Sequence, residues 1–180
     1  MTHLTFRGTR APVAAALLAL AAACGGGDRP REYEAGPLPP GTRQIAASAR
    51  FQPPVRSGNC YSGPIRFVFH SQEEWDNYWV DERRGCTSPP IPAGVDWRRD
   101  MLVYAAMGKR MSPKDRISID GAGVRNDTVI IAIRRWMLMD GCPGPQAPTF
   151  PQSLVRIPAN NGPVRFAEEH RKIVCDDEKS

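Results

Sequence analysis

Cysteines and histidines are the residues of this chain whose side chains most readily do covalent or metal chemistry. Nucleophilic catalysis needs a base within hydrogen-bond reach and a third group that orients the base. His70 stands beside Ser71 where a predicted strand meets a predicted helix, and His170 lies near the charged C-terminus. Neither Gly-x-Ser-x-Gly nor His-Glu-x-x-His occurs. We therefore predict a non-enzymatic protein without metal or other cofactor; a hydrolase that uses His70 is the less favoured alternative.

Cys24 ends a segment that is typical of a secretory signal. Residues 1–10 carry two arginines and no acid. The apolar run that follows, residues 11–23, is shorter than the ~20 residues that span a bilayer as a helix. Three alanines then precede the cysteine, which resembles a bacterial lipobox with Leu20 one position early. This resemblance implies cleavage before Cys24 and attachment of diacylglycerol and acyl chains to its sulfur. The alternative is an ordinary signal peptide cut nearby.

The residue after Cys24 indicates which membrane would hold the lipid anchor. Gly25 stands where an Asp would resemble the inner-membrane retention signal of Gram-negative lipoproteins. Its absence implies the outer membrane. Each buried acyl CH₂ contributes ~0.8 kcal/mol, and stable anchoring needs more than one chain. We expect a lipid-anchored protein that faces the periplasm or the cell surface.

The other four cysteines are Cys60, Cys86, Cys142 and Cys175. Four cysteines in an exported protein suggest two disulfides, for which three pairings are possible. We favour Cys60–Cys175, which would join the two ends of the folded domain, with Cys86–Cys142, which would join two loops. A zinc site is the less favoured alternative, because no pair has the Cys-x-x-Cys spacing usual for structural zinc.

Composition and charge predict a globular domain of small net charge that follows a flexible tether. Without residues 1–23 the chain keeps 22 Lys and Arg against 19 Asp and Glu, a formal net charge of +3, which argues against a dedicated nucleic-acid binder. Residues 24–45 are rich in Gly and Pro and predict a flexible tether. We expect a globular domain over residues 46–175 and a charged tail over residues 176–180.

Hydrophobic periodicity predicts a strand followed by a helix at the start of this domain. Ile65, Phe67 and Phe69 alternate with other residues, which predicts a strand. Ser71 and Glu74 have the spacing of a capping box at a helix start.

The aromatic residues of this helix share one face. Trp75, Tyr78 and Trp79 recur at helical spacing, and we interpret them as the core face rather than a ligand platform. Gly85 is the predicted helix stop.

The rest of the domain predicts strands. A nearly continuous apolar run over residues 100–108 indicates a buried central strand. Residues 116–120, with Ile117 and Ile119 inward, and residues 127–138 predict a hairpin around a turn over residues 121–126. Asn161 and Gly162 predict the turn of a final hairpin. The fold class expected is α+β: a curled antiparallel or mixed sheet with one amphipathic helix packed on it.

This order of elements resembles the C-terminal domain of the PrcB family of protease-complex subunits over residues 65–166. The matching positions are mostly packing residues: Glu74, Trp75, Trp79, Val95, Asp96, Trp97 and Gly108. The resemblance implies this family's fold and an accessory role beside a protease.

This chain departs from the pattern of that family in one loop. The family shows Gly-x-Arg-Pro-Thr/Ser-Gly-Gly-Tyr-x-Ile, and residues 108–117 read GKRMSPKDRI. Pro113, Lys114 and Asp115 replace the Gly-Gly-Tyr portion. Proline fixes φ and lacks a donor, so contact with a protease or peptide would differ from that of the family or be lost.

The same loop is the predicted partner-binding site, because exposed loops on a strand frame often carry binding residues. Its candidate residues are Lys109, Arg110, Ser112, Lys114 and Arg116. The partner would be an acidic protein surface or anionic lipid headgroups, and an ordinary solvated turn is the alternative. We predict an interaction or accessory module, with a protease inhibitor that inserts a loop into a cleft as the alternative function.

Overall fold

The computed structural model describes residues 38–54, 63–80, 86–142 and 144–175. They form one helix and eight strands: β1 (Arg43–Ile45), β2 (Ala49–Phe51), β3 (Ile65–Phe69), α1 (Gln72–Trp79), β4 (Asp100–Ala106), β5 (Arg116–Arg125), β6 (Thr128–Leu138), β7 (Gln152–Pro158) and β8 (Val164–Ile173). The predicted signal peptide, Cys24, Cys60, Gly85 and the tail 176–180 lie outside the described residues.

The strands are divided between two four-stranded sheets. The first sheet has the order β1-β5-β6-β8 and the second has the order β2-β7-β4-β3. Neighbouring strands are antiparallel except β6 and β8, which run parallel. The prediction of a sheet-dominated domain with one helix is confirmed. The prediction of a single curled sheet is wrong, because the strands form two separate sheets.

The main apolar core lies between the two sheets. Met101 and Val103 of β4 and their counterparts Ile131 and Ile133 of β6 are buried there, together with inward residues of β5 and β7. Arg50 of β2 is exposed, and its Nη1 donates to the carbonyl of Ile119 in β5 at 2.7 Å, which links the two sheets outside this core. Burial of both inner faces holds the sheets together.

Helix α1 covers the opposite face of the second sheet. Trp75 and Trp79 are buried against Phe69 and Tyr104, so the predicted aromatic core face is confirmed. The predicted capping box is confirmed at its Ser71 side, where Oγ accepts from the backbone N–H of Glu74 at 3.1 Å. The reciprocal bond goes from the N–H of His70 to the Glu74 carboxylate, one residue before the position usual in a capping box.

Strands β5 and β6 form the predicted hairpin with a shorter turn than expected. Residues 121–125 continue β5, and the reversal takes place at Asn126 and Asp127, which have positive φ values of 48° and 61°. Asn and Asp tolerate this left-handed conformation better than most residues. A register shift between Ile119 and Gly121 marks a bulge, which places Asp120 inside the strand and not at the turn.

The prediction of a final hairpin is wrong. Strand β7 pairs with β2 and β4 in the second sheet, whereas β8 pairs with β6 in the first. The segment that holds Asn161 and Gly162 therefore carries the chain from one sheet to the other. A Cβ on Gly162 would clash with the carbonyl oxygen of Asp127, so only glycine permits this approach to the β5–β6 turn.

Strand β1 begins inside the segment that the sequence places in the tether. Arg43 pairs with Val124, and Ile45 with Ala122, at the edge of the first sheet. A three-residue strand lacks a periodic signal long enough to be recognised. A Cβ on Gly123 would clash with Thr42, so the chain enters the domain closely packed against β5.

Candidate functional site

Two loops meet at one end of the sandwich. Residues 107–115 connect β4 to β5, and residues 139–151 connect β6 to β7. The pairing of Arg116 with Trp136 in one sheet and of Ala106 with Gln152 in the other brings both loops to the same end. We call this the loop end, and we call the opposite end, with the Asn126–Asp127 turn, the turn end.

The backbones of the two loops are bonded to each other. Arg110 and Thr149 exchange backbone hydrogen bonds of 2.9 and 2.8 Å, and Met107 donates to the carbonyl of Pro151 at 3.0 Å. The Thr149 hydroxyl donates to the carbonyl of Ser112 at 3.0 Å. These bonds give the predicted binding loop a second loop as support.

A buried carboxylate holds the basic loop from inside. Asp115 is 6% exposed, and its Oδ2 accepts from Nε of Arg110 at 2.8 Å. Its Oδ1 accepts from the backbone N–H of Leu138 at 2.8 Å. Ser112 closes a tight turn before it, with Oγ accepting from the N–H of Lys114 at 3.1 Å. Asp115 therefore joins the loop to the end of β6.

The structure separates the five predicted binding residues into exposed and half-buried side chains. Lys109, Lys114 and Arg116 are exposed, whereas Arg110 and Ser112 are half-buried and their polar atoms bond to the loop itself. The guanidinium of Arg116 lies over the ring of Trp136, 5.2 Å from its centre. Sequence reasoning did not identify Asp115 as an anchor; its spacing of five residues from Arg110 was the available signal.

The disulfide at this end differs from the predicted pairing. Cys142 in the 139–151 loop is bonded to Cys175, which follows β8. Both favoured pairs, Cys60–Cys175 and Cys86–Cys142, are therefore wrong. The two chain segments already lie together, because Met139 donates to the carbonyl of Ile173 at 3.1 Å. Cys86 is disulfide-bonded too, and its partner is neither Cys142 nor Cys175.

Apolar side chains are exposed among these basic residues. Met111 is 47% exposed, Met139 41% and Val174 68%. Methionine adapts its shape to different partners because it is unbranched and polarizable. The loop end thus presents mixed apolar and cationic side chains on a braced frame.

An ion-pair network lies nearby on the outer face of the first sheet. Nε of Arg134 is 2.9 Å from the Glu169 carboxylate and 3.2 Å from that of Asp120. Asp120 also accepts a hydrogen bond from Ser118. The hydrogen bond from Arg134, reinforced by Arg171, holds the pKa of Glu169 below its usual value. Asp120 is thus the partner of a nearly buried arginine.

The two histidines lie in unlike places. His70 is exposed before α1, and His170 on β8 is exposed beside Glu168, with Nε2 3.7 Å from the carboxylate. Among the described residues no group of three or more His, Cys, Asp or Glu could hold a metal ion. Within the same ranges no helix is long and apolar enough to cross a membrane.

No protein-family model, curated protein or solved structure matches this chain.

Proposed function

We propose that this protein is a lipid-anchored interaction module of the bacterial cell envelope, without catalytic activity of its own, that binds a protein partner through its loop end. Cys24 would carry the lipid and place the protein at the outer membrane. The resemblance to PrcB subunits suggests that the partner is part of a protease complex.

The observation that carries this proposal is the bracing of the basic loop by buried Asp115 and by the Arg110–Thr149 bridge. A loop that is already ordered loses little conformational entropy when it binds. Lys109, Met111 and Lys114 are exposed on this braced segment. Cations beside exposed methionines suit a partner surface that is both acidic and apolar.

Crosslinking and pull-down from native membranes test this proposal. The variant Lys109→Glu/Lys114→Glu should lose the captured partner while its melting curve stays unchanged. Arg110 is left intact, because its reversal would break the pair with Asp115. The matched control is Arg98→Glu/Arg99→Glu, which makes the same charge change on exposed residues outside the loop end. Capture that is equal in both variants would remove the loop end from consideration.

The anchor has its own test. Labelling with radioactive palmitate should mark the wild-type protein and leave Cys24→Ala unlabelled. Label that persists in Cys24→Ala, or none in the wild type, would contradict lipidation at this residue.

A protease inhibitor is a second candidate, favoured by the other loop. Residues 144–148 are exposed and lie between two fixed points, the Cys142–Cys175 disulfide and Thr149. A segment held at both ends suits insertion into a cleft. Inhibition assays against envelope proteases, with Gln146→Pro as the loop variant, separate the two candidates, since an accessory subunit would leave protease activity undiminished.

A further inference from the structure

A cavity of about 520 Å³ lies at the turn end, on the outer side of the first sheet, away from the loop end. It is lined by Pro39, Arg125, Asn126, Thr128, Ile130, Arg165, Phe166 and Ala167. This volume falls in the range of small-molecule sites, which join an apolar wall to a few polar groups.

The apolar wall comes from the two parallel strands. Ile130 of β6 is 7% exposed, and Arg165 of β8 is its neighbour in the register. Ala167 is the next outward residue on β8. Small and apolar side chains at these positions leave the space open.

Two arginines provide the charge of this cavity. Arg125 ends β5 and Arg165 lies near the start of β8, and both are exposed. Neither makes an ion pair or a side-chain hydrogen bond with any part of the chain that the structure describes. None of the eight described residues that line the cavity is acidic, and Asp127 lies between two of them along the chain.

Other arginines on the outer face of the first sheet do have carboxylate partners within the protein. Arg134 lies between two carboxylates, Asp120 and Glu169, and Arg171 also binds Glu169 at 2.5 Å. Arg134 and Arg171 are thus paired with carboxylates within the protein, whereas Arg116 on the same face stacks on Trp136 and has no carboxylate partner among the described residues. At the turn end Arg125 and Arg165 also lack such a partner within the described ranges, so their positive charge is available to an external anion.

From these observations we propose that the cavity binds the phosphate group of an anionic phospholipid. Arginine forms two parallel hydrogen bonds to a phosphate, and two guanidinium groups at one cavity match its charge. The apolar wall would contact the glycerol and the first acyl carbons. Thr128 and Asn126 offer further hydrogen bonds beside the arginines.

The apolar wall favours a lipid over a soluble phosphate. Ile130, Phe166 and Ala167 line the cavity together with the two arginines, and inorganic phosphate has no apolar group that could contact them. A phospholipid carries its phosphate next to glycerol and acyl carbons, so it can contact the arginines and the apolar wall together. The anion site depends only on the two arginines, whereas the choice of a lipid depends on the apolar wall.

Isothermal titration calorimetry of the purified full-length protein in non-ionic detergent tests this site. The probes are dihexanoyl phosphatidylglycerol, dihexanoyl phosphatidylcholine and inorganic phosphate. Phosphatidylglycerol should bind most tightly, and Arg125→Gln/Arg165→Gln should weaken this binding by about tenfold or more. The matched control Arg98→Gln/Arg99→Gln removes the same charge elsewhere and should bind as the wild type does.

A second variant keeps both arginines. Ala167→Phe should fill the cavity and weaken binding without changing the charge, which covers the case in which the double arginine variant folds poorly. Unchanged binding in both cavity variants would overturn the site. Inorganic phosphate that binds as tightly as phosphatidylglycerol would overturn the lipid assignment. The calorimetric result does not depend on lipidation of Cys24 or on capture at the loop end, so each proposal can fail separately.

Discussion

Arg66 and Glu168 form a two-point ion pair between the edge strands of the two sheets. Nε of Arg66 is 2.7 Å from Oε1 of Glu168, and Nη2 is 3.0 Å from Oε2. Nη1 of the same arginine donates to the carbonyls of Ile65 and Ala106, both at 2.6 Å. The pair therefore ties β8 of the first sheet to β3 and β4 of the second. Bidentate pairs of this kind are stronger than single hydrogen bonds.

The pH dependence of stability follows from this pair. Burial raises the pKa of Glu168, but the hydrogen bond and charge of Arg66, with the charges of Arg135 and His170, lower it below the ordinary value of 4.5. The unfolded state then binds more protons near that pH, so this stabilisation is complete above about 4.5 and is lost as the pH falls through the lower folded pKa. The pKa values of Asp76 and Glu169 shift in the same direction.

Melting curves recorded between pH 3 and pH 7 check this expectation. The melting temperature should fall with acid in the wild type, and Glu168→Gln should show a lower but flatter profile. The control Glu73→Gln, on the exposed side of α1, should keep the wild-type profile. An equally steep profile in Glu168→Gln would contradict the assignment to this carboxylate.

Asp115→Ala should destabilise the fold by about 2 kcal/mol, because a hydrogen bond that involves a charged group contributes about 1.5–3 kcal/mol and Arg110 is partly screened by solvent. Urea unfolding measures this loss. Asp115→Asn keeps one acceptor for Leu138 and should lose less. The control Asp140→Ala removes an exposed carboxylate from the neighbouring loop and should change little; a loss as large as that of Asp115→Ala would show that the buried bonds are not its cause.

The Cys142–Cys175 bond closes a loop with a sequence separation of 33 residues. Such a loop corresponds to about 3–4 kcal/mol of stabilisation through the unfolded state. Cys142→Ser/Cys175→Ser should lose about this much, as read from the urea midpoint. Non-reducing peptide mapping of the wild type should recover a peptide that links the two cysteines. Recovery of a Cys60–Cys175 peptide instead would disprove the pairing.

Gly108→Ala should destabilise the start of the basic loop by about 1–2 kcal/mol. Gly108 has a φ of 85°, and a Cβ there would lie 3.0 Å from Cδ of Pro64. Gly63→Ala is the control, since nothing lies within 4 Å of the position that its Cβ would take and its φ is ordinary. Thermal unfolding compares the two variants, and equal melting temperatures would refute the constraint at Gly108.

The sequence by itself determined the local elements. Helix α1 follows from the Ser71 cap and the aromatic residues at helical spacing, and β3 and β4 follow from their apolar patterns. The β5–β6 hairpin was also predictable, because its two strands are adjacent along the chain. In each case the signal lies within about twenty consecutive residues, where periodicity and capping act.

Only the tertiary structure decided how distant segments meet. Strands β7 and β8 each bury one face in the core. The alternation of apolar and polar residues along them is the same whether the two strands pair as a hairpin or lie in opposite sheets. The Cys142–Cys175 bond, the burial of Asp115 and the two arginines at one cavity depend in the same way on long-range register. A local pattern identifies which face of a segment is apolar. It does not identify the distant segment that packs against that face, because that choice depends on contacts between residues far apart in the chain.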